Sequence, residues 1–172
     1  MRSHYLFRLL GIFICFFVFE NCSYGQDEKF KALFIYNFIN YIDWPNLNGN
    51  NFKIIVLGNN TLASELTGFT SQKKIGQLSI SVVPVKSSAE ITDCQIVFIS
   101  HGNNDELAKL VDKSKRNHIL IITETPNSCA VGACLNFISK NGSIKFEISK
   151  SNIESSGLKV NSGLFNLGIL VN

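Results

Sequence analysis

Residues 95–123 read QIVFISHGNNDELAKLVDKSKRNHILIIT, and this stretch decides the fold. Gln95 to Ser100 and His118 to Thr123 are short apolar runs of the length of a strand buried on both faces. Between them Asn104 to Lys115 sets Leu107, Leu110 and Val111 on one helical face. Asp105 and Glu106 stand in the first turn, where they meet the positive end of the helix dipole. Strand, helix and strand in succession form a crossover unit, and such units build parallel sheets covered by helices.

Upstream, Phe52 to Leu57 is another apolar run rich in β-branched residues, closed by Gly58, with a short helix expected over Thr61 to Phe69. Leu78 to Val85 is rich in Ile and Val and reads as a further strand. Before these, Asp27 to Trp44 carries Phe30, Leu33, Phe34, Phe38, Ile39 and Ile42 at helical spacing, and Pro45 ends it. Asn46 to Asn51 is a loop. Downstream the rhythm changes to strict alternation. Leu135 to Ser139 and Ser143 to Ser149 flank Lys140-Asn141-Gly142, and Asn-Gly is the strongest short hairpin signal. A short helix at Ser151 to Ser156, ended by Gly157, and a closing strand and helical segment over Leu158 to Val171 complete the chain. The expected fold is an α/β three-layer sandwich: a mostly parallel mixed sheet flanked by helices, with an antiparallel hairpin in its C-terminal part.

The first residues decide the compartment. Arg2 and Arg8 precede the uncharged apolar run Leu9 to Phe19, after which Glu20 to Gly25 turns polar and small. Ser23 and Gly25 occupy the −3 and −1 positions that a signal peptidase needs small, so residues 1–25 read as a cleaved signal peptide and Gln26 as the mature N-terminus. The run is short for a bilayer core of about 30 Å, and nothing after Gln26 is long and apolar enough to span one. A single exported domain over residues 26–172 is expected, without membrane insertion after cleavage. Losing Arg2, Arg8 and Glu20 lowers the formal charge of +3 by one, and the basic residues are spread along the chain, which is no footprint for nucleic acid. An apolar fraction of 45% against 17% charged excludes a disordered chain.

Chemistry is sparse. Gly58-Asn59-Asn60-Thr61 follows a strand as a phosphate loop would, but lacks the further glycines that let backbone approach a pyrophosphate. His101 stands in a loop after a strand end, a usual place for ligands in such folds, and His118 opens a buried strand. One histidine beside unspaced carboxylates is no metal set. Ser71-Gln72-Lys73-Lys74 matches Ser-x-x-Lys without the other parts of that site, and no serine has a nucleophile elbow. No catalytic residue, cofactor or metal is expected. The mature chain keeps Cys94, Cys129 and Cys134. In an oxidising compartment two close cysteines and a distant one read as one disulfide and one leftover thiol. Cys94, just before an apolar run, reads as a small buried hydrophobe.

Several segments in order carry a resemblance. Lys31 to Phe38 is followed by Tyr41-Ile42-Asp43-Trp44-Pro45; Ile54 to Gly58 and Thr92 to Ile99 follow. Ile138 to Ile148, then Gly157 to Ser162 with Leu164 and Leu167, close the series. Over nearly all of the mature chain this resembles the YfiR-like family of bacterial periplasmic proteins. The resemblance implies a compact α/β sandwich in the periplasm and a regulatory binder rather than an enzyme. Its best-known members repress a membrane-bound diguanylate cyclase, in cyclic di-GMP signalling, by binding its periplasmic part, and an outer-membrane lipoprotein can sequester the repressor. A sensor kinase with an extracytoplasmic domain fits equally well as partner, and a homodimer is left open. Cys129 and Cys134 fall where one family disulfide is expected. Cys94 matches a second cysteine position whose upstream partner is missing here. Leu164, Phe165, Leu167 and Ile169 offer either a partner contact or core packing, core being the stronger reading. The rival function is a periplasmic small-ligand binder using the strand ends near Gly58 and His101.

Overall fold

The structure, a computed structural model, describes residues 22–45, 47 and 49–171. Its helices are α1 (Cys22–Ile39), α2 (Asn60–Thr70), α3 (Asn104–Asn117), α4 (Ser128–Val131) and α5 (Lys150–Ser155). Its strands are β1 (Ile42–Asp43), β2 (Asn51–Leu57), β3 (Lys74–Ile75), β4 (Leu78–Val85) and β5 (Ile96–Ile99). They continue with β6 (Leu120–Thr123), β7 (Leu135–Lys140), β8 (Ser143–Ser149), β9 (Lys159–Val160) and β10 (Ile169–Val171). Eight strands form one sheet in the order β10-β8-β7-β6-β5-β2-β4-β3, and β1 pairs with β9 apart from it. The central pairs from β4 to β7 are all parallel, while β3–β4 and β7–β8 are antiparallel. This is the mixed sheet that the crossover unit and the hairpin required.

Alternation along each strand divides the core in two. Phe52, Ile54, Val56, Ile96, Phe98, Leu120 and Ile122 face one side, under α1, α2 and the C-terminal segment. Ile55, Leu57, Val97, Ile99, Ile119 and Ile121 face the other, under α3. Every one of these side chains is buried, which is why the strands read as continuous apolar runs. At the hairpin Asn141 and Gly142 both adopt positive φ, 54° and 71°, the backbone that a two-residue turn between twisted strands demands.

The first helix departs from expectation at its end and on its face. The indole of Trp44 donates to the carbonyl of Ile39 at 3.0 Å, closing the helix there. The chain then leaves as β1, with Ile42 opposite Val160. The buried face is Glu28, Lys31, Ala32, Ile35, Phe38 and Ile39, whereas Phe30 and Leu33 are 46% and 38% exposed. Weighing only apolar positions turned the helix by about one residue, because the true inward face begins with two charges. His118 belongs to no strand: it ends α3 in the left-handed conformation, φ 56°. The short pieces β3 and α4 had no periodicity long enough to announce them. Among the described residues no helix is long and apolar enough to cross a membrane.

Candidate functional site

The sheet reverses its winding between β2 and β5. From β2 the chain goes to β4 on one side, then returns to lay β5 on the other, with α2 and α3 on opposite faces. The crevice outside the carboxyl ends of such a strand pair is where open α/β sheets bind ligands. Here Gly58 ends β2 with φ 81°, and a Cβ on it would collide with Ser100 Oγ and Asn103 Nδ2. Those two side chains also bond each other at 2.9 Å. Asn59 is spent on the start of α2, accepting from the Leu62 amide at 2.9 Å. The residues around Gly58 are therefore packed against one another and committed to the fold.

One strand further, the same edge carries a buried charge cluster. Glu124 follows β6 and accepts from the backbone N–H of His101 at 3.1 Å with one oxygen, and from Lys31 Nζ at 2.5 Å with the other. Lys31 Nζ also donates to Glu28 Oε1 at 2.8 Å. Burial works against the charge on Lys31, but its hydrogen bonds to Glu124 and Glu28 and their negative charges outweigh that and raise its pKa above the usual lysine value. Glu28 is 0% exposed, and among the described residues its Oε2 has no hydrogen-bond partner. Beside this cluster Thr123 donates to Asn136 Oδ1, and Asn136 Nδ2 to Glu147, both at 2.8 Å, a buried polar chain that is satisfied within itself. His101 contributes its backbone, and its side chain is exposed. Among the described residues no three His, Cys, Asp or Glu side chains come together as a metal set.

The exposed apolar surface lies elsewhere. A groove of about 360 Å³ runs between α1 and α2, lined by Phe30, Leu33, Phe69, Ala32, Lys29 and Glu65. Phe69 is 38% exposed, stacks edge-on to Tyr36 with centroids 5.5 Å apart, and has Lys73 Nζ 4.7 Å over its ring. Across α1 a second groove of about 440 Å³ is lined by Phe34, Asn37, Phe38, Asn40, Tyr41 and Leu167. The C-terminal candidates divide here. Leu164 is fully buried, Phe165 packs on the core and Ile169 is half-buried in β10, while Leu167 and its neighbour Leu170 are each 55% exposed. Leu164 is core, and Leu167 faces solvent.

The three cysteines are buried thiols in this structure. Cys94 packs under α3, and burial pushes its pKa up to about 12. Cys129 is pushed up to about 12, first by burial and then by the nearby charges of Glu147 and Cys134. Burial pushes Cys134 up to about 11. Asn152 Nδ2 donates to the Cys129 and Ala133 carbonyls at 2.7 and 2.8 Å, holding the two ends of the intervening loop to one amide. His118 is structural: its Nδ1 lies 3.0 Å from the Ser156 carbonyl, against Gly157. Sequence reasoning missed Glu28, Lys31 and Glu124 as a unit, and the outward turn of Phe30 and Leu33. The available signal was the alternative 3.6-residue stripe through Ala32, Ile35 and Phe38, which extends back onto Lys31 and Glu28.

A family model described as YfiR/HmsC-like matches residues 28–169. No curated protein matches the chain. Among solved structures, the fold is similar to the ABC domain in complex with L-Trp from Streptococcus pneumonia, at 11% identity and a TM-score of 0.54. It is similar also to a conserved domain protein from Vibrio cholerae, at 9% identity and a TM-score of 0.53. The match covers 84% of this chain in each case and 60% of the other chain, so the likeness is one of fold over part of each relative.

Proposed function

The chain belongs to the YfiR/HmsC-like family of periplasmic regulators, and from that premise we propose that it binds a membrane-bound signalling protein and holds it inactive. The partner would be a diguanylate cyclase or a sensor kinase, engaged through its extracytoplasmic domain. One observation carries the reading: the apolar side chains Phe30, Leu33 and Phe69 lie exposed together on the α1–α2 face, while the side chains at the sheet's switch point are packed on each other. A rim of Lys29, Glu65 and Lys73 around an apolar centre is the composition of a protein contact. An outer-membrane lipoprotein as a second partner and a homodimer as the binding form belong to the same proposal. Export through a cleaved signal peptide is part of it as well; those residues lie largely outside the described ones.

The test is a pull-down from detergent-solubilised membranes with residues 26–172 as bait, beside a Phe30→Ser/Leu33→Ser bait of equal stability. Recovery of one protein with extracytoplasmic and signalling domains, lost with the double variant, supports the proposal. Equal recovery by both baits moves the contact elsewhere, and no specific recovery by either removes the reading. The Cys129–Cys134 disulfide remains a proposal with its own measurement. Material from the oxidising compartment should be about 2 Da lighter than after reduction, the mass of two thiol hydrogens. Three free thiols would end that claim.

A small-ligand reading has one observation in its favour, the fold shared with a protein solved in complex with L-Trp. The packing of Ser100 and Asn103 on Gly58 speaks against it. A ligand present at 100 times its Kd would add about 2.7 kcal/mol to stability and raise the melting temperature accordingly. A flat thermal-shift screen over amino acids, L-Trp included, separates the two readings.

A further inference from the structure

We propose that the occupant of the α1–α2 groove is an amphipathic helix of the membrane partner, laid with its backbone against Gly68 and with an acidic side chain at Lys73. The proposal rests on the regulatory reading above and names the contact which that reading requires. Gly68 stands in the right-handed run of α2, two residues before its end, and lines the groove with Glu65 and Phe69. Glycine holds a helix less firmly than alanine does, so its presence there weakens α2. Nothing inside the chain asks for it. It has no positive φ, and a Cβ on it would meet no atom within 4 Å. Its carbonyl accepts from Ser71 Oγ at 3.1 Å, a bond that any residue could supply. By contrast Gly58, Gly132 and Gly157 are each pressed by a side chain that a Cβ would strike. A helical glycine with open space in place of its Cβ, beside exposed Phe69, Phe30 and Leu33, leaves room for a backbone from outside the chain.

The walls of the groove select a helix as its occupant. Both walls are helices whose backbone N–H and C=O groups are spent in their own ladders, so an extended segment would find no strand edge to pair with. A helix arrives with its backbone already satisfied and offers apolar side chains at every third and fourth position. Phe30 and Leu33 on one wall and Phe69 on the other stand exposed to receive them. The rim adds a charge. Lys73 Nζ lies 4.7 Å over the Phe69 ring and 5.1 Å over that of Tyr36, and among the described residues no carboxylate pairs with it. Lys29 and Glu65, also on the rim, are of opposite sign and leave Lys73 as the unbalanced charge. A carboxylate on the passing helix would meet it, and such a pair steers the encounter and fixes the register of the two helices.

The test takes the exported protein and its Gly68→Ala and Lys73→Glu variants through two measurements. Thermal unfolding is expected to place Gly68→Ala about 1–4 °C above the parent, from the helix propensity gained. In the membrane pull-down, untagged Gly68→Ala is expected to need about tenfold more protein than untagged parent to displace the tagged parent, because the added methyl group holds the two backbones apart. A gain in stability joined to a loss of binding is what a docking glycine gives and a merely structural one does not. Lys73→Glu should also compete more weakly than the parent, by about tenfold. Photo-crosslinking from a benzophenone side chain at position 65 should land on a helix of the captured protein that has apolar residues three and four apart and an Asp or Glu among them. Equal competition by Gly68→Ala and the parent, or a crosslink to an extended segment, would overturn the proposal, while specific capture by the parent would leave the regulatory reading standing. A lowered melting temperature for Gly68→Ala would give that glycine a role inside the chain and overturn it equally. Undiminished competition by Lys73→Glu would overturn the acidic contact. Capture of no signalling protein by the parent would remove the regulatory reading and this proposal with it.

Discussion

The two faces of the sheet are built from the same strands and are covered very differently. Beneath α1 and α2 lies an aromatic cluster in which Phe38 sits 4.8 Å from Phe146 and 6.0 Å from Phe137, centroid to centroid. Beneath α3 the core is aliphatic, with Leu107 and Leu110 on Ile99, Ile121 and their neighbours. The charges follow the same division. On the α1 face Lys31 and Glu28 are enclosed, whereas on the α3 face Glu106 sits in a clamp near the surface, bonded to Lys109 at 2.8 Å and to the Ser88 amide at 2.6 Å. The face that bears the exposed apolar groove is also the one that locks its helix with buried charge. A helix that leaves Phe30 and Leu33 in water gives up part of its own apolar anchoring, and on this helix the ion pairs and the Phe38 cluster fix its rotation instead.

That contrast can be broken most directly at Phe38. Phe38→Ala should cost about 4 kcal/mol in urea unfolding, since the ring is enclosed by other rings that cannot close the space. Lys31→Met should cost about 3 kcal/mol, because it strands two carboxylates, whereas Lys31→Met with Glu28→Gln and Glu124→Gln together should recover most of the loss. If the single and triple variants unfold alike, the cluster is not acting as a unit. The raised pKa of Lys31 has a sign: its contribution is complete below its unfolded value of 10.5 and is lost as pH climbs through the higher folded value. On the opposite face Leu107→Ala should cost about 2–3 kcal/mol, less than Phe38→Ala because a smaller side chain leaves a smaller space under an outer helix. A larger loss there would reverse the ranking of the two faces.

The smallest effect belongs to Glu106. Its hydrogen bonds from Lys109 and then Ser88 hold its pKa down at about 2, yet Lys109 is 62% exposed and solvent screens the pair. Glu106→Gln should therefore cost less than about 1 kcal/mol at neutral pH. The contribution it removes is present above the unfolded carboxylate value of 4.5 and fades as pH falls from there through about 2. Chemical unfolding of both proteins at neutral pH and at pH 2 checks it: their difference should be largest at neutral pH.

The sequence alone determined the long strands β2 and β4 to β8, most helices and the sheet type, because local patterns answer to local physics. Runs such as Ile96–Ile99 and Leu120–Thr123 must be enclosed on both faces, and Asn141-Gly142 supplies the positive φ that a tight hairpin needs. It also offered Gly58, His101, Leu164 and Leu167 as places to look, but which of these four are enclosed was beyond it. Leu164 and Leu167 are both leucines on one short segment, and only the surrounding fold makes one core and the other surface. The same holds for α1. Two stripes of the helix were available, one wholly apolar and one beginning with Glu28 and Lys31, and hydrophobicity favoured the first. Glu124, 93 residues from Lys31, decided for the second, since a buried lysine needs carboxylates around it and only the tertiary structure could bring one from the end of β6.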